Sequence, residues 1–490
     1  MNIQKRLANA YLWNLVGIWG TRLIGITSTL ILVRLIEPAA FGLVALATVC
    51  IGFFNTFATL GINRYLISQT DLNPIALNTS WTLSILIKSL ITVILILSSN
   101  ALASFVGAPE VALIIIVIAS VGLIDSFKNI GIVQYEKNLD FKKLNLLSLT
   151  CKIFSTALTL SIAYFYPNYW ALVCGAITHT IMYMIGTYVI CEYRPSFNFQ
   201  FEKKQFLFSI KIIFRAVIGY SRSKLDTFLV GKLFTTSAVG KYSIGLEFAL
   251  LPLTEIIAPA TNTMFPGLSQ FKNSPKELLD KTYKYLALVY MFVIPCIVGV
   301  WFVSQQFCTV ILGEKWSETA PIMSSLALLM LPFPLTAITN NLFDFLNKTG
   351  RSIFGDIVGI ALLLICFWTI SFDSIEKFSL IRGFVGVLVF CFLLIFARFT
   401  IHLSLRKMIS VLIIPFISAS GMYAFFTYCY VNNEISLLGL VINVVIGAVV
   451  YSSLLMVLIF TVRHKLDVWD FWYKKILEVI KIGVVRLRFY

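Results

Sequence analysis

Charge is what this chain has least of for its size: 13% of its 490 residues are Asp, Glu, Lys or Arg, about half the share usual in a soluble domain. Histidine is scarcer still. His179, His402 and His464 are the only three, and no HExxH, phosphate-binding glycine loop or Ser/His/Asp set accompanies them, so the common hydrolytic, nucleotide-binding and zinc chemistries have no sequence support. The nine cysteines include no CxxC and sit in or beside apolar runs. They read as small buried hydrophobes, with neither a metal site nor a disulfide frame implied. Long loops are missing as well, because the largest connectors, 263–282 and 305–317, fall far below the roughly 50 residues of a small domain. A membrane polymerase or glycosyltransferase, expected to present carboxylates on a long outer loop, has nowhere to put them. No catalytic residue, cofactor or metal is expected.

What the chain has instead is hydrophobicity, at 59% of residues and a mean hydropathy of +0.88. Runs bounded by charge, Pro/Gly or Asn clusters are long enough for about 14 membrane spans, each needing about 20 residues. They fall near 11–33, 42–63, 79–105, 111–133, 144–166, 169–191, 206–230, 238–262, 283–304, 318–345, 352–371, 379–399, 409–430 and 436–462. The fold class is therefore all-α, a polytopic membrane protein. Lys5 and Arg6 precede the first run, which continues past the length of a signal sequence without a clear cleavage site, so it reads as an uncleaved span. Lys+Arg of 39 against Asp+Glu of 23, a net +16, reports topology before it reports any nucleic-acid partner. The basic loops at Lys5/Arg6, Arg64, Lys137/Lys142/Lys143, Arg194/Lys203/Lys204, Lys272/Lys276/Lys281, Lys348/Arg351, Arg406/Lys407 and the tail from Arg463 share one side, which places both termini in the cytosol.

One span breaks the apolar rule. Between Lys203 and Gly240 the chain carries Lys211, Arg215, Arg222, Lys224 and Asp226; at 100° per residue all but Lys224 fall within roughly 60° of one another. Each basic group at mid-membrane costs about 2.5 to 3.5 kcal/mol on insertion scales, so such a stripe needs a partner or a water-filled cavity. Lys211 and in part Arg215 can snorkel toward headgroups. Arg222 fits that explanation poorly.

The first half adds interior Arg22, Lys88, Lys152 and the i, i+3 pair Asp125/Lys128, the last expected to neutralise itself. Lys88 and Lys152 either snorkel, pair with carboxylates, or join Arg22, Arg215, Arg222 and Asp226 in a cationic cavity for an oxyanion. The second half supplies Glu247, Glu255, Asp344 and Asp356; with Asp125, the first three are candidates for coupling to a proton or sodium gradient, because a buried carboxylate can titrate near neutrality. Asp356 is better matched to pairing with Arg382 or with the cationic stripe. Pro252, Pro259 and Pro266, seven apart, share one face of a helix they would bend, which makes it a gate. The tail places Trp469, Trp472, Tyr473, Ile476 and Ile480 on one helical face and Lys474, Lys475, Glu478 and Lys481 largely on the other, a surface-lying amphipathic helix.

The nine residues Arg34–Gly42 also lie without gaps on Lys232–Gly240, each in the short outer turn after the first helix of a half. The first helix of each half also carries an interior arginine, Arg22 and Arg222, which favours two related bundles of about six spans. The expected division is 1–200 and 201–405 for these bundles, 406–463 for two further spans, and 464–490 for the basic tail.

Three phrases, LVRLIEPAAFGLVALA (32–47), LDTFLVGKLFTTSAVGKYSIGLEFALLPLTEIIAPATNTMFPGLSQ (225–270) and LGEKWSETAPIMSSLALL (312–329), resemble the polysaccharide transporter family, the Wzx-type flippases of lipid-linked oligosaccharides. That family lies in the exporter superfamily that also holds multidrug extruders and lipid II flippases. The resemblance implies alternating access by two bundles in a bacterial cytoplasmic membrane and export of an undecaprenyl-pyrophosphate-linked glycan. Implied partners are that lipid-linked oligosaccharide, membrane lipids, and the polysaccharide polymerase and glycosyltransferases of the same pathway. A drug extruder of the same fold is the alternative, but it would want an acidic cavity where the first bundle here is basic.

Overall fold

The computed structural model of the chain describes residues 3–58, 66–67, 73–200, 203–259, 261, 267–268, 270–271, 274–345, 348–429 and 435–487, and their side chains apart from 3–11, 203–212, 349 and 479–487. Among the described residues there are helices and no strands. This is what a bilayer demands, since a helix satisfies every backbone polar group within its own segment. Contacts divide the chain into two compact units, 1–243 and 244–490.

The first unit begins with α1 (Ile3–Leu35), α2 (Pro38–Ala58), α3 (Pro74–Phe105) and α4 (Glu110–Ser126). It continues with α5 (Ile132–Lys137), α6 (Phe141–Phe165), α7 (Tyr169–Ile190) and α8 (Lys203–Leu233), and with the start of α9 (Thr236–Ala249). Helix starts follow the local chemistry: Asn73 caps α3 by accepting from the Ile75 amide at 3.0 Å, and Pro74 fills the first position, where no amide is needed. Helix α3 packs along α4, α6 lies between α1 and α7, and α2 rests on α8. The extended segment 191–200 is tied across the end of α3: Asn78 Oδ1 accepts from the Tyr193 hydroxyl at 2.6 Å and the Ser196 amide at 3.0 Å, and Phe197 lies against Trp81 at 5.0 Å.

In the second unit follow α10 (Pro275–Gln306), α11 (Thr319–Leu326), α12 (Phe333–Phe345) and α13 (Thr349–Thr369). The chain then forms α14 (Ile375–Ile401), α15 (Leu405–Ala424), α16 (Leu437–Val462) and α17 (Asp467–Leu487). Helix α10 is the hub, packed against α11, α15 and α16, while α14 packs against α11 and α13. The tryptophans of the tail helix α17 bond back to the protein. Trp469 is fully buried and donates to the Ser410 carbonyl of α15, Trp472 donates to the Lys284 carbonyl of α10, both at 2.8 Å, and the Arg463 guanidinium lies over Phe460 and Tyr473.

Eleven helices among the described residues are long and apolar enough to cross a membrane, and each coincides with an expected span. The other three expected spans fall short for visible reasons. Helix α4 stops at 17 residues. Helix α8 runs 31 residues but carries the five charges between 211 and 226. Helix α9 runs 14 residues and gives way to a π-helical turn at Leu253–Ile257.

Candidate functional site

In the first unit the interior charges converge. Lys88 of α3 donates to Asn55 Oδ1 of α2 at 3.5 Å and lies within electrostatic range of Asp125 and Lys128. Asp125 of α4 is paired with Lys128 at 3.2 Å, as its i, i+3 spacing predicts. Both side chains are more than a third exposed, so the pair adds little to stability; exposed pairs give about 0.2 to 1 kcal/mol. Lys152 of α6 reaches α1 where that helix lacks a side chain, its Nζ 4.0 Å from the position a β-carbon on Gly25 would take. Arg22 lies on α1 less than one turn from Gly25 and is exposed. His179 of α7 stacks on Tyr183 with ring centroids 6.2 Å apart and lies within electrostatic range of Lys152 and Asp125.

The cluster thus brings Lys88, Lys128 and Lys152 near Asp125, with Glu136 also within electrostatic range of Lys128, and it is net cationic. Asn55 of α2 and His179 of α7 also belong to it. The signal for His179 was its place inside an otherwise apolar span, where an ionisable group is a functional candidate by default.

The stripe on α8 divides. Arg215 is half-buried, Arg222 is exposed, and Asp226 is 1% exposed, its Oδ1 accepting from the Thr227 amide at 2.8 Å. Asp226 therefore sits on the packed side of the helix while Arg222, one turn earlier, faces outward. Tyr220, between them and Arg215, donates to the Val49 carbonyl at 3.0 Å and fixes α8 against α2. The Lys211 side chain lies outside the described residues.

The second unit keeps its carboxylates apart in sequence and setting. Glu247 is exposed, whereas Glu255, Asp344, Asp356 and Arg382 are half-buried. Glu255 occupies the π-helical turn Leu253–Ile257 and its Oε1 accepts from the Thr254 hydroxyl at 3.2 Å. Pro252 stands directly before that turn and Pro259 two residues beyond it; Pro266 lies outside the described residues. A π turn marks a local break in helical hydrogen bonding and recurs at functional sites. Among the described residues no group of His, Cys, Asp and Glu is disposed to hold a metal ion.

Apolar helices around a cationic centre define a polytopic membrane transporter, and comparison with solved structures agrees on the fold. The chain superposes on "Lipid II flippase MurJ, inward closed conformation" with a TM-score of 0.70 at 14% identity, covering 92% of this chain and 99% of that one. An inward-facing multidrug-resistance MATE transporter of the MOP superfamily gives 0.51 at 15% identity over 80% and 94%. The sequence pattern of the family described as "Polysaccharide biosynthesis protein" matches residues 31–321, and the chain belongs to that family. Similar curated proteins include the lipopolysaccharide biosynthesis protein WzxC of Escherichia coli K12, 21% identical over 72% of each chain. A membrane protein in the cps region of Klebsiella pneumoniae is 22% identical over 92% of this chain and 95% of its own.

Proposed function

We propose that the protein is a flippase that moves an undecaprenyl-pyrophosphate-linked oligosaccharide from the cytosolic to the outer leaflet of a bacterial cytoplasmic membrane by alternating access, with both termini cytosolic. The observation that carries this is the cationic cluster of Lys88, Lys128 and Lys152 near the paired Asp125 in the first helical unit. A pyrophosphate cannot enter hydrocarbon without compensating charge, whereas a polyprenyl tail stays in lipid and needs none. The relatives named for lipopolysaccharide and teichuronic acid biosynthesis and for succinoglycan transport support the substrate class. The pyrophosphate oxygens would be met by Arg22, Lys88, Lys152, Arg215 and Arg222, with Asp226 holding the stripe in place. Asp125, Glu247, Glu255 and Asp344 are where a proton or sodium ion would couple, and the bend at Pro252, Pro259 and Pro266 would gate. The glycan would be built by glycosyltransferases before transfer and joined by a polymerase after it.

The test is export of the lipid-linked glycan, read as surface polysaccharide, in cells lacking their own flippase. Lys88→Gln with Lys152→Gln should cut export more than tenfold at normal membrane levels. Undiminished export by that double variant would remove the support for this site. Export of cationic dyes by the wild-type protein in vesicles would instead favour the drug-extruder reading.

A further inference from the structure

Helices α14 and α15 are consecutive and joined by the short turn 402–404, yet they barely touch each other, because α14 leans on α11 and α15 on α10. Between them the second unit holds a cleft of about 820 Å3, within the range of small-ligand sites. Its walls are apolar: Leu380 and Phe384 from α14, Ile409 and Phe416 from α15, and Trp301 from α10 all line it. Ile409 and Phe416 remain 60% and 64% exposed. Among the described residues none that lines the cleft is charged.

Along α15 the lining runs from Ile409 to Tyr423, about 21 Å at 1.5 Å per residue. That exceeds the depth of one leaflet, about 15 Å or half of the hydrocarbon core. Water gains nothing in such a cleft, because it offers almost no polar partners. A hydrocarbon chain suits it.

One end of the cleft is not neutral. Arg406 and Lys407 stand within one turn of Ile409, and Arg398 ends α14 seven residues beyond the lining residue Cys391; all three are exposed. The Lys407 ammonium lies 5.5 Å from the Tyr283 ring centroid. Asp280, an acid near this end of α10, is already engaged by Lys284 at 2.6 Å. We infer that the cleft between α14 and α15 binds one phospholipid with an anionic headgroup, its acyl chain between Phe384 and Phe416 and its phosphate held by Arg398, Arg406 and Lys407. The chain contributes apolar burial and the guanidinium groups add charge-assisted hydrogen bonds. The site lies wholly within the second unit and shares no residue with the cationic cluster, so it is independent of the transport reading.

The test is native mass spectrometry of the full chain released from vesicles of equal phosphatidylglycerol and phosphatidylcholine. The wild-type protein should retain phosphatidylglycerol at least fivefold over phosphatidylcholine. Filling the cleft by Ser420→Phe, or from the opposite wall by Ser324→Phe, should lower total retained lipid at least fivefold. Arg406→Gln with Lys407→Gln should keep a bound lipid but lose the preference. Thermal melting confirms that each variant is folded, and the two cleft-filling variants check each other. Equal retention by wild type and both filled variants overturns the site. So does retention of an added polyprenyl phosphate in place of phosphatidylglycerol, which would make the cleft part of a substrate path.

Discussion

Gly42 and Gly240 meet backbone to backbone in the first unit: a β-carbon on Gly42 would overlap the Thr236 carbonyl and lie 3.0 Å from the Gly240 amide nitrogen, and one on Gly240 would overlap the Pro38 carbonyl and lie 3.1 Å from the Gly42 amide nitrogen. The two are equivalent positions of the repeat that pairs Arg34–Gly42 with Lys232–Gly240. The contact is symmetric because the turns that make it are. Only glycine permits this approach at either side, since any side chain would drive the first turns of α2 and α9 apart.

Gly42→Ala and Gly240→Ala should therefore each destabilise the protein by about 1 to 3 kcal/mol, the usual cost of overpacking. Thermal unfolding in mild detergent measures this. Gly122→Ala on α4, where a new β-carbon meets nothing within 4 Å, is the control and should be neutral or slightly stabilising. Equal effects at all three positions would show that the crossing is not tightly closed.

Much of this was legible in the sequence. Run length alone pointed to fourteen spans, eleven of which are helices long and apolar enough to cross, and the matched turns made Gly42 and Gly240 equivalent without predicting their contact. The Asp125/Lys128 pair followed from i, i+3 spacing. What the sequence could not give was rotation and convergence. Arg222 and Asp226 share a face by arithmetic, yet one is exposed and the other buried. His179 joins Lys152 and Asp125 only because α7 packs against both α4 and α6. The amphipathic tail was plain as a pattern, but an indole that finds a backbone carbonyl on α15 or α10 looks the same in sequence as one that finds a headgroup.

Glu136, in the short helix α5 outside the spans, gives a pH dependence. Burial raises its carboxyl above the ordinary 4.5, with Lys128 opposing. The folded protein therefore binds this proton more tightly than the unfolded chain does. The associated stability is fully present below the unfolded value and is lost as pH rises through the folded one. Glu136→Gln should flatten the melting temperature across that window above pH 4.5. A slope that survives the substitution assigns it to another group.

Topology is tested by labelling. Single cysteines placed at Asp140, in the basic connector between α5 and α6, and at Lys315, in the turn before α11, should react with impermeant reagents from opposite sides of the membrane. Reaction from the same side would refute the fourteen-span arrangement.

Pro259→Ala addresses the gate. The π turn Leu253–Ile257 lies between Pro252 and Pro259, and restoring a hydrogen-bond donor beyond it should straighten the segment. Insertion should be normal and turnover in reconstituted vesicles several-fold slower, as expected of a bend that serves a conformational step. Unchanged turnover would place the gate elsewhere.

Arg222 gives the sharpest prediction. It stands 18 positions beyond Lys204 on the unbroken helix α8, about 27 Å along the axis, too far to reach the headgroups at the basic end. It is exposed while Asp226, one turn on, is buried and held by the Thr227 amide. On the proposed reading Asp226, at i+4, orients the guanidinium, which meets a phosphate oxygen. Lysine keeps the charge but loses the planar fork that binds two phosphate oxygens at once. Export should accordingly fall several-fold in Arg222→Lys and nearly vanish in Arg222→Ala, with both proteins inserting at normal levels. Arg22, the interior arginine of α1, should behave alike, since a diphosphate offers oxygens to more than one cation. Normal glycan export by Arg222→Ala would show that the stripe on α8 is structural and that the cluster around Lys88 and Lys152 meets the substrate's charge by itself.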